Sequence, residues 1–360
     1  MADKLPVGIL GATGMVGQRF VERLADHPWF EPAWLASSGR SAGRTYGEAC
    51  RWRLPSPLPD RVRHLPLRAA GEETDVPLLF SALPGDVAGP LEERYARAGH
   101  AVCSNASAHR MDEDVPLVIP EVNADHTALV GEQRRVRGWG GFLAAHANCV
   151  TAGLVLALKP LRDAFGLCRV NVVTFQAVSG AGYPGVASWD ILGNVIPWIA
   201  GEEEKVEGEP LKLLGTLEGG RVRPSPAVVS AQCNRVPVRD GHCACVSVEL
   251  GRRVSLPDVT AALEGFRPPE AVAALPGTPS RPVVVHRDED RPQPVLDRDA
   301  LDGMAVHVGR VRPCALLHWK FFLVSHNTQR GAAGGAVHLA ELLSAQGWLG
   351  AWAPGPGGEP

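Results

Sequence analysis

The chain has 360 residues, too many for one small core and about right for two domains of ordinary size. Hydrophobic residues make up 45% and charged residues 21%, with a mean hydropathy of −0.03, which excludes a disordered polar chain. Thirty-six basic residues against thirty-nine acidic ones give a formal charge of −3, so a nucleic-acid partner is not expected. No apolar run approaches the ~20 residues that span a bilayer.

Pro6–Leu10 reads as a short apolar strand, with no charged-then-apolar leader before it, and a cytoplasmic location is expected. Gly11-Ala-Thr-Gly-Met-Val-Gly17 then predicts a tight turn opening a helix over Arg19–Ala25, where Phe20, Val21 and Leu24 are apolar. A strand at Pro32–Ala36 and another at Pro77–Ala82 come next, followed by a helix at Val87–Ala98 and a strand at Ala101–Ser104. Strands alternating with helices predict an α/β, doubly wound parallel sheet over residues 1–147.

The second half reads differently. After a helix at Thr151–Leu161, strand patterns recur at Val170–Gln176, Arg235–Val238, Cys243–Leu250, Val283–His286, Met304–Val311 and Trp319–Val324. Asp240-Gly241 between two of them is a hairpin signal. A mixed or antiparallel sheet follows, hence an α+β second domain at 148–325. Gly331–Leu343 predicts a helix with Ala332, Ala336, Leu339 and Leu343 on one stripe, and segment 326–345 is expected to return to the first domain. Residues 346–360, Pro/Gly-rich from Ala351, read as a loose tail. The eight cysteines form no CxxC, so neither a disulfide framework nor a zinc knuckle is indicated, and no metal is expected. Cys243 and Cys245 share a strand face without a matching second pair.

Three stretches carry chemistry. Glycines after a strand and before a helix let the backbone approach a pyrophosphate at unpaired amides, although the same pattern also serves plain helix–strand packing. Ser37-Ser-Gly-Arg-Ser41 ends the second strand with hydroxyls and Arg40 and no carboxylate, which favours a 2′-phosphate, and so NADP, over a ribose hydroxyl. Cys149 opens a helix, where the dipole favours a thiolate nucleophile. On a hairpin, Arg235 and His242 fall on one face: the arginine suits a substrate carboxylate, and a histidine of ordinary pKa moves the thiol proton. Gln176 ends a strand near them, and Ser179–Gly182 is a small-residue loop that admits a nicotinamide.

An ordered series of blocks resembles the aspartate-β-semialdehyde dehydrogenase family in its archaeal and fungal branch. The blocks are GATGMVG from Gly11, SSGRSAGRTYG from Ser37, SNASAHRMDEDVPLVIPEVN from Ser104, ANCVTA from Ala147 and QAVSGAGYPG from Gln176. They continue with WDILGNVIPWIAGEEEKVEGEPLKLLG from Trp189, CNRVPVRDGH from Cys233, DGMAVHVGRVR from Asp302 and SHNTQRGAAGGA from Ser325. The resemblance implies a Rossmann-like domain joined to a catalytic and dimerisation domain. It implies reversible NADP-dependent reductive dephosphorylation of L-aspartyl 4-phosphate to aspartate 4-semialdehyde through a cysteine thioester, on the route to lysine, threonine and methionine.

In that likeness Cys149 matches the nucleophile, His242 the acid/base, Gln176 the residue positioning the intermediate and Arg235 the carboxylate clamp. Asn105, Arg110 and Lys212 match the phosphate-receiving group, and Glu209 a residue holding the substrate amine or its lysine neighbour. Gly11, Thr13, Gly14, Met15, Val16, Gly17, Ser37, Ser38, Arg40, Ser41, Ser179, Gly180 and Asn327 match cofactor contacts. Val150 stands where the family usually has Ser or Thr, and His146-Ala-Asn-Cys where it has Asn-Pro-Asn-Cys. A hydroxyl lost beside the thiol removes a hydrogen bond of about 1 kcal/mol. The resemblance implies a homodimer or homotetramer. Other readings from the sequence are the same thioester chemistry on another acyl donor, as in malonyl-CoA reductases or a specialised paralogue, and a silent NADP-binding sensor.

Overall fold

The computed structural model describes residues 4–350, the side chain of Arg40 excepted. Of the expected loose tail 346–360, residues 346–350 are instead turns, with Trp348 and Leu349 packed on the core of the first domain and Gln346 bonded to Thr127; the rest lies outside the described residues. Strands β1 (Leu5–Leu10), β2 (Phe30–Ser37), β3 (Leu67–Ala69), β4 (Leu78–Ser81), β5 (Ala101–Ser104) and β6 (Phe142–Ala145) form one sheet in the order β3-β2-β1-β4-β5-β6. Every pairing in it is parallel. Leu78, Leu79 and Phe80 are buried on both faces, which is why β4 reads as an unbroken apolar run. Helices α1 (Met15–Leu24), α2 (Gly85–Ala98) and α3 (Leu129–Arg137) join these strands. The strand order reverses between β1 and β4, and the turn after β1 opens into that crevice.

Helix α4 (Cys149–Phe165) follows β6 and buries Val150, Leu154, Val155 and Leu158 in a core that also takes Leu10 and Leu143 from the first sheet and Val172, Val246 and Phe321 from the second. The second sheet is built from β7 (Leu167–Gln176), β10 (Val228–Arg235), β11 (His242–Leu250), β12 (Val283–Val285), β13 (Val306–Pro313) and β14 (Trp319–Ser325). The small hairpin β8 (Thr216–Glu218) and β9 (Arg221–Arg223) stands apart, and helices α5 (Glu202–Leu213) and α6 (Leu256–Glu264) pack beside α4.

The order β10-β7-β11-β14-β13-β12 is mixed, with two parallel and three antiparallel pairings. The Asp240-Gly241 hairpin does not form. β10 ends at Arg235 and pairs in parallel with β7, β11 pairs with the other edge of β7, and residues 236–241 cross between them as a loop. Helix α7 (Ala333–Ala345) packs on α1 and β5. It is buried on every side from Ala333 to Ser344 rather than along one stripe, because chain covers it all round.

Candidate active site

The Gly11–Gly17 turn is tied under the first sheet by the Gly11 and Ala12 amides, which both donate to the Ala36 carbonyl. Gly11 holds φ +77°, and a side chain at Gly17 would lie 2.2 Å from the Gly11 oxygen, so this course of the backbone needs both glycines. Gly14 caps α1 without a side chain, and no acidic residue stands in the first turn. Gly14, Met15 and Val16 line a cleft of about 490 Å³ together with Asn105, Arg110, Cys149, Ser179, Gly180 and Asn327. Gly11 and Thr13 lie in the turn between β1 and α1, and Gly17 in the first turn of α1, none of them on the cleft lining. Ser37 closes β2, Ser38 precedes a short turn of helix at Gly39–Ser41, and Ser41 is its last residue. The side chain of Arg40 lies outside what is described.

Across the cleft, Cys149 is the first residue of α4. Its helix is capped by Asn148, whose Oδ1 accepts from the amides of Val150 and Thr151 at 3.0 and 3.2 Å. Asn148 is itself held on both sides, its amide donating to Glu209 Oε2 (2.6 Å) and its Nδ2 to Glu202 Oε1 (2.9 Å). The nucleophile therefore sits on a fixed backbone. Its sulfur lies 3.1 Å from Nε2 of His242. The other ring nitrogen, Nδ1, accepts from the Ala177 amide at 3.0 Å, which places the ring proton on Nε2, facing the sulfur.

Although no hairpin joins them, Arg235 and His242 still converge. Arg235 leaves the end of β10 opposite Gln176, and its Nη1 donates to the Ala177 carbonyl at 2.8 Å. Ala177 thus binds both side chains, through its N–H and its C=O. A Cβ at Gly180 would meet Arg235 Nη1 at 2.7 Å and His242 Cε1 at 2.9 Å. Only a glycine leaves room there. Gln176 is buried at the end of β7, its Nε2 near Thr174 Oγ1 at 3.4 Å. Asn327 donates to Ser179 Oγ and accepts from the Gly241 amide, joining the two loops at the cleft edge.

The electrostatics correct two expectations. Burial, with the carboxylate of Glu202, pushes the Cys149 thiol up to about 12, against the pull of Arg110 and Arg235. The helix N-terminus alone does not yield a resting thiolate. Burial, with Arg235 and His326 beside it, holds His242 well below the ordinary histidine range, so it rests neutral rather than near its usual pKa.

In the cleft with Cys149, Arg110 donates from Nη1 to Glu209 Oε1 (2.8 Å) and from Nη2 to the Asn105 carbonyl (2.6 Å). Arg110 Nε and both amide atoms of Asn105 are buried with no hydrogen-bond partner among the described residues. Lys212 does not line the cleft: its Nζ donates to the carbonyls of Arg110, Asp112 and Val115 at 2.7 to 2.8 Å. Glu209 makes its hydrogen bonds to Arg110 and Asn148 rather than to Lys212. Sequence reasoning missed Asn148 and Lys205; the first was legible as a cap-type residue just before Cys149, and the second lay in an unremarkable run of charge. His286, Asp297 and His307 are the one group of described side chains placed to share a metal ion. They lie on and beside β12 and β13, where Arg291 already binds both oxygens of Asp297. All eight cysteines are free thiols.

Comparison with known proteins agrees with this geometry. Residues 6–130 match the family described as semialdehyde dehydrogenase, NAD binding domain, and residues 158–330 match semialdehyde dehydrogenase, dimerisation domain. An aspartate-semialdehyde dehydrogenase of Archaeoglobus fulgidus is 49% identical over 94% of this chain and 97% of its own. One from Cryptococcus neoformans is 42% identical over 96% and 98%. A crystal structure of the Candida albicans enzyme with NADP superposes with a TM-score of 0.88 at 40% identity, covering 96% of this chain and 99% of that one. The Rossmann-like sheet order, the thiol–imidazole pair at a helix start and these likenesses together place the chain in the aspartate-semialdehyde dehydrogenase family.

Proposed function

We propose that this protein carries out the reversible, NADP-dependent reductive dephosphorylation of L-aspartyl 4-phosphate to L-aspartate 4-semialdehyde through a thioester on Cys149. One observation carries the reading: Cys149 Sγ stands 3.1 Å from His242 Nε2 in the same cleft as the uncapped start of α1. The residues present fit the dinucleotide. The first turn of α1 has neither a side-chain cap nor an acid to compete with a pyrophosphate, and Ser37, Ser38 and Ser41 at the end of β2 suit a 2′-phosphate. Gly11, Thr13, Gly14, Met15, Val16 and Gly17 would hold the pyrophosphate side, and Ser179, Gly180 and Asn327 the nicotinamide side. When bound, NADPH supplies the hydride that reduces the thioester carbonyl.

The chain's own residues do the rest. The sulfur of Cys149 attacks the acyl carbon, a C–S bond forms and the C–O bond to phosphate breaks. Because Nε2 already carries the ring proton, His242 donates to the sulfur and stabilises the thiolate as it forms, and the thiol proton leaves on the departing phosphate. After reduction the C–S bond breaks, the aldehyde departs and the sulfur is restored. Arg235 clamps the substrate carboxylate, Gln176 positions the acyl group and Glu209 anchors Arg110 at the phosphate end. The partnerless Arg110 Nε and Asn105 amide favour an acyl phosphate over a CoA thioester.

Residues 1–147 serve as the NADP-binding domain and 148–325 as the catalytic and pairing domain, with 326–345 returning to the first. A homodimer is supported by the dimerisation-domain match and by the exposed apolar run of Trp189, Leu192, Val195 and Trp198. A cytoplasmic location fits eight free thiols, and among the described residues no helix is long and apolar enough to cross a membrane. The test is the reaction run from the aldehyde side. With aspartate semialdehyde, phosphate and NADP, the protein should form NADPH in proportion to phosphate; phosphate-independent turnover would reject this substrate.

A further inference from the structure

We infer that the buried ion pair between Glu121 and Arg330 is a positioning device for the reaction: it sets segment 327–332 against the backbone of Cys149, and with it the distance between the thioester and the nicotinamide. Neither residue touches substrate or cofactor; their role, which rests on the thioester reading above, is to hold the residues that do.

Arg330 is fully buried and makes contacts in several directions at once. Its Nη1 and Nη2 donate to Glu121 Oε2 and Oε1 at 3.1 and 2.6 Å, a two-pronged pair with a carboxylate that is equally buried. Its Nε donates to the Met304 carbonyl at 2.6 Å and its amide to the Gly303 carbonyl, while its own carbonyl accepts from His146 Nε2 at 2.9 Å. Glu121 stands in the short helix Pro120–Asn123, between β5 and β6 of the first sheet, whereas Gly303 and Met304 lead into β13 of the second. His146 lies between β6 and Cys149. Arg330 thus ties both sheets to the approach to the nucleophile. Burial opposes the Glu121 charge, but Arg330 and His338 hold this carboxyl below the usual carboxylate range, so the pair is ionised.

The residues around Arg330 in the chain form part of the site. Gly331 packs so closely on the nucleophile that a Cβ there would stand 2.6 Å from the Cys149 carbonyl oxygen and 2.8 Å from its Cα. Asn327, Thr328, Gly331 and Ala332 line the cleft beside Cys149. A shift of Arg330 therefore moves the wall assigned to the nicotinamide relative to the sulfur. Stability does not account for the pair, since a well-packed apolar pair of similar volume commonly serves a buried position as well or better. What the guanidinium fork adds is direction, because its rigid plane fixes the Met304 carbonyl and both Glu121 oxygens together. Hydride transfer needs that control. Reacting atoms must be held about 3–3.5 Å apart, and a displacement of about 1 Å costs on the order of a hundredfold.

The test replaces both charges together in the full-length protein. Arg330→Met with Glu121→Leu leaves no lone buried charge, so the melting temperature should stay within a few degrees of wild type. Mixed with NADP and aspartate semialdehyde without phosphate, this double variant should form its first equivalent of NADPH about ten- to a hundredfold more slowly than wild type. Deuterium on the aldehyde carbon should slow it further, with the KM values for NADP and aspartate semialdehyde held within about twofold. Arg330→Lys keeps the charge without the fork and should fall between the two, which keeps the test decisive if the double variant does not fold. NADPH formed at the wild-type rate by Arg330→Lys or by a folded double variant would overturn the inference, leaving the pair as packing alone. So would a slowed burst without a deuterium effect, which would place the loss in attack by the sulfur, or one matched by an equal rise in the KM for NADP. A wild-type protein that forms no NADPH would instead sink the assigned reaction.

Discussion

Two helices point their N-termini into one cleft, and the chain treats them in opposite ways. Helix α1 begins at Gly14 with no side-chain cap and no acidic residue, leaving its first amides for an anion. Helix α4 begins under Asn148, which takes up the amides of Val150 and Thr151 and is itself gripped by Glu202 and Glu209. The same positive helix end serves in one place as a ligand-binding surface and in the other as a rigid mount for a nucleophile. Burial, with Glu202 and Glu209 beside it, pushes the Cys149 thiol up to about 12, so the packing that fixes the sulfur also opposes its ionisation.

The largest effect that would sharpen this contrast falls on α1. In Gly17→Ala, the added methyl would stand 2.2 Å from the Gly11 carbonyl and the turn must shift. The KM for NADP should rise by ten- to a hundredfold or so, the scale of about 1–3 kcal/mol, while unliganded Cys149 alkylates at the wild-type rate. A variant with normal NADP affinity would break the assignment of the turn.

A smaller effect concerns pH and the mount of α4. His146, just before the nucleophile's cap, is fully buried with Nε2 bonded to the Arg330 carbonyl, and burial brings its pKa down to about 3. It is neutral when folded and takes up a proton near its ordinary pKa only when unfolded. Unfolded chains therefore bind more protons between about pH 6.5 and 3, so stability is fully present above that window and is lost as pH falls through it. Roughly 3 kcal/mol should be gone by about pH 4 from this group. Urea melts of wild type and His146→Gln should show a shallower acid dependence in the variant; parallel curves would contradict the assignment.

The smallest is the cap itself. Asn148→Ala should cost about 1–2 kcal/mol of stability and lower kcat, leaving NADP binding unchanged. A variant that lost NADP affinity instead would mean the two helix ends are not separate devices.

Much of the first sheet was legible because buried parallel strands such as Leu78–Ser81 leave continuous apolar runs, and because glycines mark the turn after β1. The second sheet was less so. Asp240-Gly241 has hairpin chemistry, yet β7 slots between β10 and β11, a pairing set by long-range register that no local signal carries. Arg235 and His242 nonetheless meet, because each flanks the same residue, Ala177, at the end of β7. Cys149 was legible from its place before a helix, but its ionisation was not, since burial is decided by chain from both sheets. Val150 shows the same limit: read as a missing hydroxyl, it is a core residue of α4, 1% exposed.

The central claim is that Cys149 carries the acyl group. Without phosphate, the protein mixed with NADP and aspartate semialdehyde should form one equivalent of NADPH per site and then stop. Mass spectrometry should find the aspartyl group on the peptide holding Cys149, and added phosphate should release it. A burst that survives in Cys149→Ala, or an adduct on any other residue, would contradict the account.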